Sequence, residues 1–346
     1  MAYIVKSSER LRKTGAETET KALLYLMSFT PESNDIYYFV IDFFNDLTGM
    51  DKYSTKLWDL QSKGNKNVSP KDLGRELVTL YKNYLSELEF HAYILFVESV
   101  STGVRIDSSK DVFNYSNIKE KALKSLKEGL KEECQAKEYI NNIDINDIKI
   151  NEFIQKITFV IGSQHTPAEY VKAIIKNHPR IIPDENTLIG IFNEIRDKQS
   201  EKKNTNIVEN ITIETSQDAL QYFRHLTSNQ IKILTLQRII NRNPLEQGIP
   251  ISFIPIYNNC PPEHQKDFLQ ACQSALCVAL FDKNAADSFW TIFETVYLLI
   301  LKNPNDDPRK IYEQLKKKPD CIEKCTAFDA LSLQYFISTI KDGIQQ

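Results

Sequence analysis

The chain has 346 residues, enough for one large domain or two ordinary ones, and it needs no staples to bury a core. Its hydrophobic fraction of 42%, charged fraction of 26% and net charge of -3 are those of a soluble globular protein. They exclude a chain that is basic all over, and leave room for a local basic groove.

No segment reaches the roughly 20 apolar residues that span a bilayer. The N-terminus turns charged at Lys6 and has no apolar signal block, so the chain reads as cytoplasmic with no membrane partner. Six cysteines are too few for a disulfide scaffold, and no pair has zinc-knuckle spacing. They read as buried or idle thiols.

In chain order, residues 9–28 read as a helix that ends in the apolar run Ala22, Leu23, Leu24, Leu26 and Met27. Two strands joined by a loop follow. The first runs from Tyr37 to Asp46 and delivers an acid at its end; the second runs from Leu57 to Gly64. Ser69-Pro70-Lys71-Asp72 is a helix start with a serine cap and a first-turn proline. The helix carries Leu73, Leu77, Leu80, Tyr81, Tyr84 and Leu85 at helical spacing. His91 to Val97 is an apolar run that fits a strand buried on both faces.

From about residue 115 the pattern is helical. Helices are expected over Asn117–Tyr139, Ala168–Asn177 and Asn186–Gln199, and Phe159-Val160-Ile161 offers a last strand. Asp197–Asn206 is polar and reads as a linker or as a solvated helix end. Later helices are expected over Ser216–Phe223, Ser228–Asn241, Glu263–Phe281, Ala285–Leu301, Pro308–Leu315 and Thr326–Ile340. Ile251–Ile256 is a short strand candidate confined by its prolines to an edge. The divisions expected are an α/β core over 1–115, a helical extension over 116–205 and a helical C-terminal domain over 206–346 used for docking or oligomerisation.

Asp59, Gln61 and Lys63 alternate along the second strand and so share one face. Phosphodiester hydrolysis requires a metal to bind water and phosphate, an acid to hold the metal, and a cation for developing charge. Asp46 is placed to hold the metal, Gln61 to add an amide oxygen, and Lys63 to orient water or neutralise phosphate. Magnesium, or manganese, suits so sparse an oxygen set. Taken singly, Asp46 is also good turn chemistry, and Gln61 with Lys63 is also an exposed strand face. Asp42 lies in an otherwise apolar strand, so it should be paired or near the metal.

The stretch Phe44-Asn45-Asp46 with Trp58-Asp59-Leu60-Gln61-Ser62-Lys63 resembles the PD-(D/E)xK restriction-endonuclease-like superfamily, with Gln61 at its second acidic position. The likeness covers roughly residues 7–105. Within that superfamily the chain is similar to the double-strand DNA nuclease effectors of bacterial anti-phage systems, which include cyclic-nucleotide-linked (CD-NTase-associated), Lamassu-type and HerA-linked nucleases. The resemblance implies a restriction-endonuclease-like core, a mixed sheet flanked by helices, which the residue pattern continues with a mainly α-helical C-terminal region. It also implies a Mg-dependent endodeoxyribonuclease acting on double-stranded DNA. Control would come from an SMC-like or HerA-like ATPase encoded nearby, or from homo-oligomer assembly. An acid on the first helix often completes the metal site in that superfamily. Glu17 is the first choice for it here and Glu19 the second, with ordinary first-turn acids as the alternative. Asp59, Asp42 and Glu19 are second-rank neighbours of the site.

Lys66, Lys71, Arg75 and Lys82 follow the motif, and either track DNA phosphate or form a solvated face. No Walker A, Gly-x-Ser-x-Gly or His-Glu-x-x-His motif is present, so any ATPase is another chain. The competing reading is a catalytically degenerate nuclease fold that serves as an interaction or nucleic-acid-binding subunit. Gln61 in place of an acid keeps that reading open.

Overall fold

The computed structural model describes residues 3–5, 15–137, 140, 146–176, 184–246, 248–318, 322–323 and 325–345. Residues 6–14, the first part of the helix expected from residue 9, lie outside them. The chain divides into two compact units, Met1–Tyr170 with Phe192–Ser228, and Val171–Ile191 with Asn229–Gln346.

The first unit is built on a seven-stranded mixed sheet. Its elements in chain order are β1 (Tyr3–Ile4), α1 (Ala16–Ser28), β2 (Ile36–Ile41), β3 (Leu47–Asp51), β4 (Leu57–Lys63), α2 (Pro70–Arg75), α3 (Val78–Tyr84), β5 (Ala92–Val97), β6 (Val112–Phe113), α4 (Glu120–Ala136), α5 (Asp147–Lys156), β7 (Ile157–Ile161), α6 (Pro167–Ile174), α7 (Glu185–Lys203), β8 (Thr212–Ile213) and β9 (His225–Thr227). Helices α6 and α7 each run across a boundary between the units. Sheet order is β6-β7-β5-β4-β3-β2-β9, while β1 pairs separately with β8. Strands β2, β3 and β4 form an antiparallel meander, β5 lies parallel to β4, and β7 lies parallel to β5. A parallel central strand is buried on both faces. Accordingly Tyr93, Ile94, Leu95, Phe96 and Val97 of β5 are all buried.

The strand expected over 37–46 ends at Ile41. Residues 42–46 form a tight loop closed by the Asp42 amide donating to the Asp46 carbonyl at 3.0 Å, with Asp42 in the left-handed region at φ 49°. Asp46 therefore leads directly into β3, a strand not expected from the sequence because Thr48 and Gly49 are of residue types that signal turns. The segments 116–170 and 192–228, set apart from the core by the sequence reading, bring β7 and β9 to the same sheet.

The helix expected from Ser69 to Leu85 is two helices, broken after Arg75. The Ser69 cap forms as expected, its side chain accepting from the Asp72 amide. Helix α2 meets α4 through glycines on both sides. A Cβ on Gly74 would stand 1.9 Å from the Leu126 carbonyl oxygen, and one on Gly129 2.0 Å from that of Lys71. No larger residue fits so close an approach.

The second unit is mainly helical: α8 (Ser228–Ile240), α9 (Ile254–Tyr257), α10 (Gln265–Phe281), α11 (Ala286–Lys302), α12 (Pro308–Lys316) and α13 (Ala330–Gln345). Its core gathers Leu276, Phe289, Phe293, Tyr335, Phe336 and Ile337 among others. Ile251–Ile256, expected as an edge strand, is a 3-10 turn running into α9. Pro255 explains this, since a proline is at ease in the first helical turn, where its missing N–H costs nothing. The protein is thus α/β, with a mixed sheet and helices in its N-terminal part and a mainly helical C-terminal region. No helix among the described residues is long and apolar enough to cross a membrane. Cys134, Cys272 and Cys325 are buried free thiols. Burial pushes those of Cys134 and Cys272 up to about 12, which makes them inert at neutral pH.

Candidate active site at the start of β3 and the end of β4

Alternation along β4 places Asp59, Gln61 and Lys63 on one face, as the sequence implied. The three meet different surroundings. Asp59 is fully buried and accepts from Asn83 Nδ2 at 2.7 Å and Asn45 Nδ2 at 3.1 Å. The Tyr3 hydroxyl donates to Asn83 Oδ1 at 2.8 Å, so the network ties β1, α3 and β4 together. Burial raises the Asp59 carboxyl to about 7, against the pull of both asparagines and Lys82; the Asp46 charge adds to the rise. Asp59 is a packed structural acid.

Gln61 is 4% exposed and donates Nε2 to Asp46 Oδ2 at 2.7 Å. The same oxygen accepts from the Ser62 amide at 2.9 Å and the Ser62 hydroxyl at 3.1 Å. Three donors on one carboxylate oxygen fix its direction. Asn45 aids from behind: its Oδ1 accepts from the Asp46 amide at 3.0 Å while its Nδ2 holds Asp59. Lys63 emerges at the end of the strand, where its Nζ lies 3.6 Å from Glu76 Oε2 just past α2. Asp46, Gln61 and Lys63 are thus brought to one end of β4.

Asp42 faces the next strand. Its carboxylate accepts from Arg224 Nη2 at 3.0 Å, and Arg224 stands immediately before β9. Burial pushes the Asp42 carboxyl up, while Lys203 and Arg224 pull it down. Asp42 was expected to be paired or near the metal, and Arg224 is its partner.

Helix α1 splits its two glutamates as their two-residue spacing demands. Glu17 is exposed and pairs with Lys21 at 3.3 Å; Lys21 also holds the buried Glu98 at 3.1 Å. Glu19 turns to Lys203 Nζ at 3.3 Å. Lys203 also feels Asp42 and Asp46: burial lowers its ammonium, and Asp42, Glu19 and Asp46 raise it to a net upward shift. The acid of α1 that joins the Asp42–Asp46 side is therefore Glu19, whereas Glu17 belongs to the Lys21–Glu98 cluster.

The basic track is mostly engaged. Lys71 reaches Glu132 at 2.7 Å, and Arg75 pairs with both Asp72 and Glu132. Lys82 is buried, its Nζ 4.8 Å from the centre of the Tyr3 ring. Lys66 alone of the four is exposed.

Ser62, Arg224 and Lys203 went unnoticed in the sequence. Lys203 lies in the stretch read as a linker or a solvated helix end, 197–203 of which is the last part of α7. Thr20 of α1 donates to the buried Gln199 Oε1 at 2.9 Å, so this polar stretch packs inward.

Among the described residues no three His, Cys, Asp or Glu side chains form a group able to hold a metal. The oxygen donors that remain are Asp46 and the Gln61 amide oxygen, since that amide spends its nitrogen on Asp46. Both are hard oxygen donors, the kind that magnesium or manganese takes. No family model, no curated protein and no solved structure matches the chain.

Proposed function

We propose that the chain is a metal-dependent DNA endonuclease, the effector subunit of a bacterial anti-phage system that a partner ATPase or oligomerisation activates. The observation that carries the reading is the Asp46–Gln61–Ser62 cluster with Lys63 at the end of the same strand. The likeness draws on a helix–strand–strand–helix–strand order, and the cluster sits among α1, the β2–β3–β4 meander, α2 with α3, and the parallel strand β5. Asp46 and Gln61 would hold a magnesium or manganese ion. Such an ion, when bound, supplies a water of lowered pKa and positive charge against phosphate.

This chain's own part is positioning and charge. Ser62 and Gln61 hold the Asp46 carboxylate aimed. Lys63, on a short tether from β4, offers a cation to the phosphate oxygens as negative charge grows on them. The overall reaction joins the oxygen of a water to phosphorus and breaks one P–O ester bond. One end keeps the phosphate, and the other recovers a hydroxyl with the proton that water gives up.

The test is cleavage of plasmid by the purified protein in magnesium or manganese, with and without the products of neighbouring genes. Asp46→Ala and Lys63→Ala are run in parallel. Activity in the parent and loss in both variants is expected; cleavage that persists in both removes this site from the mechanism. The absence of a three-acid group among the described residues favours a second reading, a degenerate nuclease fold that binds nucleic acid. Tight metal-dependent binding without cleavage under any partner would select it.

A further inference from the structure

We propose that a cleft in the second unit binds a small organic anion with a flat apolar body, its charge met by Arg309. The cleft holds about 490 Å³, a size that suits a metabolite-sized ligand. Helices α9, α10, α12 and α13 contribute its walls, and all of its lining residues lie in that one unit. No group of the proposed nuclease site takes part, so the inference stands apart from that reading.

The walls are mostly apolar: Ile256 of α9, Phe268 of α10, Tyr312 of α12 and Leu331 of α13. Phe268 is held in place by the Phe253 ring stacked on it at 5.9 Å and by the Tyr257 ring at 6.5 Å. Two aromatic rings and two branched aliphatic chains favour a flat apolar body. Leu331 stays 42% exposed, apolar surface that a ligand would cover.

Charge sets the head group. Arg309 and Glu313 are four positions apart on α12 and both line the cleft, as that spacing on a helix allows. Both Glu313 oxygens accept from Lys316 Nζ, at 3.1 and 3.2 Å, and that ammonium also lies 5.4 Å from the centre of the Tyr312 ring. Glu313 is thereby balanced. Arg309 is not: among the described residues its guanidinium hydrogen-bonds only to the Pro255 carbonyl, at 3.4 Å. One long bond leaves most of the guanidinium fork open to a carboxylate or sulfonate, which it takes through paired hydrogen bonds. On the α13 wall, Gln334 is 9% exposed and donates its Nε2 to the Ala330 carbonyl at 3.0 Å. With that nitrogen engaged, Oε1 is left to accept, and an N–H or O–H on the ligand would satisfy it.

The probe is anilinonaphthalene sulfonate, which has flat rings, an anion and one N–H donor. Its uncharged counterpart, phenylnaphthylamine, lacks only the anion. Fluorescence titration of the full chain, with calorimetry for stoichiometry, reads both. Wild type is expected to bind one anilinonaphthalene sulfonate per chain, about tenfold more tightly than phenylnaphthylamine. Arg309→Gln should remove that tenfold advantage and leave phenylnaphthylamine binding unchanged. Leu331→Trp narrows the cleft and should weaken both probes by about tenfold or more. Arg309 and Leu331 are both exposed, so both variants should fold. No saturable binding by wild type, equal affinity for the two probes, or binding that both variants leave intact would overturn the proposal. An Arg309→Gln loss equal for the two probes would overturn it as well, since the arginine would then only shape the cleft. None of these outcomes bears on cleavage, so the nuclease reading stands or falls separately.

Discussion

Replacing Asp59 with asparagine is expected to flatten the pH dependence of stability in the sheet-bearing unit. The Asp59 carboxyl is lifted by burial from 3.8 to about 7. At 1.36 kcal/mol per tenfold change in proton affinity, this is about 4 kcal/mol between the two protonation states. The folded state binds the proton more tightly than the unfolded chain, so the contribution is fully present below pH 3.8 and is lost as pH rises through about 7. Between pH 5 and pH 8 the wild type should lose about 2.5 kcal/mol through this one group, and Asp59→Asn should not. The substitution itself costs about 1 kcal/mol at every pH, because one of the two amide donors, on Asn45 or Asn83, loses its acceptor.

Urea unfolding at several pH values, followed by tryptophan fluorescence, reads the difference. Trp58 lies in β4 beside Asp59, and a Trp290→Phe background silences the tryptophan of the other unit. The quantity that matters is the stability of wild type minus that of the variant, in which the other titrating groups cancel. If that difference stays constant to within about 1 kcal/mol from pH 5 to pH 8, Asp59 is ionised throughout and the burial argument is refuted.

Gly129→Ala should lower the melting temperature through a loss of about 1–3 kcal/mol, since its methyl meets the Lys71 carbonyl; an unchanged melt would mean that α2 and α4 are free to part. Tyr3→Phe should cost about 1 kcal/mol by orphaning Asn83 Oδ1, measured by the same urea titration. Under the proposed function, Glu132→Ala frees Lys71 and leaves Arg75 with Asp72 alone, so DNA affinity should rise and its salt dependence steepen; binding that stays the same would take α2 out of any DNA interface. Under the proposed function, Glu19→Ala should reduce cleavage more than Glu17→Ala, and the reverse ranking would return the α1 role to Glu17.

The order of elements in the first hundred residues was legible because burial writes itself into the chain there. Strand β5 is continuous apolar residues, and α1 ends in a run of them. What escaped notice was β3. Thr48 is fully buried and Gly49 sits against Ile36, yet both residue types signal turns when nothing of their surroundings is known. Missing β3 displaced Asp46 from the start of one strand to the end of another. Its hydrogen bonds to Gln61 and Ser62 follow from the antiparallel pairing of β3 with β4, in which Leu47 faces Leu60.

The acids and the cations of the site differ in how they are encoded. Asp46, Gln61 and Lys63 lie within one meander, so strand alternation and a short loop suffice to bring them together. The cations that pair with Asp42 and Glu19 arrive from far along the chain. Arg224 is separated from Asp42 by 182 positions and Lys203 from Glu19 by 184. No local period links such pairs. An acid embedded in an apolar strand does demand a counter-charge, because leaving it alone in the interior costs several kcal/mol. That demand could be read from Asp42, but it does not choose among the 43 lysines and arginines of the chain. The choice is made by the pairing of β9 with β2 and by the packing of α7 on α1. A cation chosen in that way stands in a stretch whose composition suggests only solvent, which is why 197–206 looked like a linker.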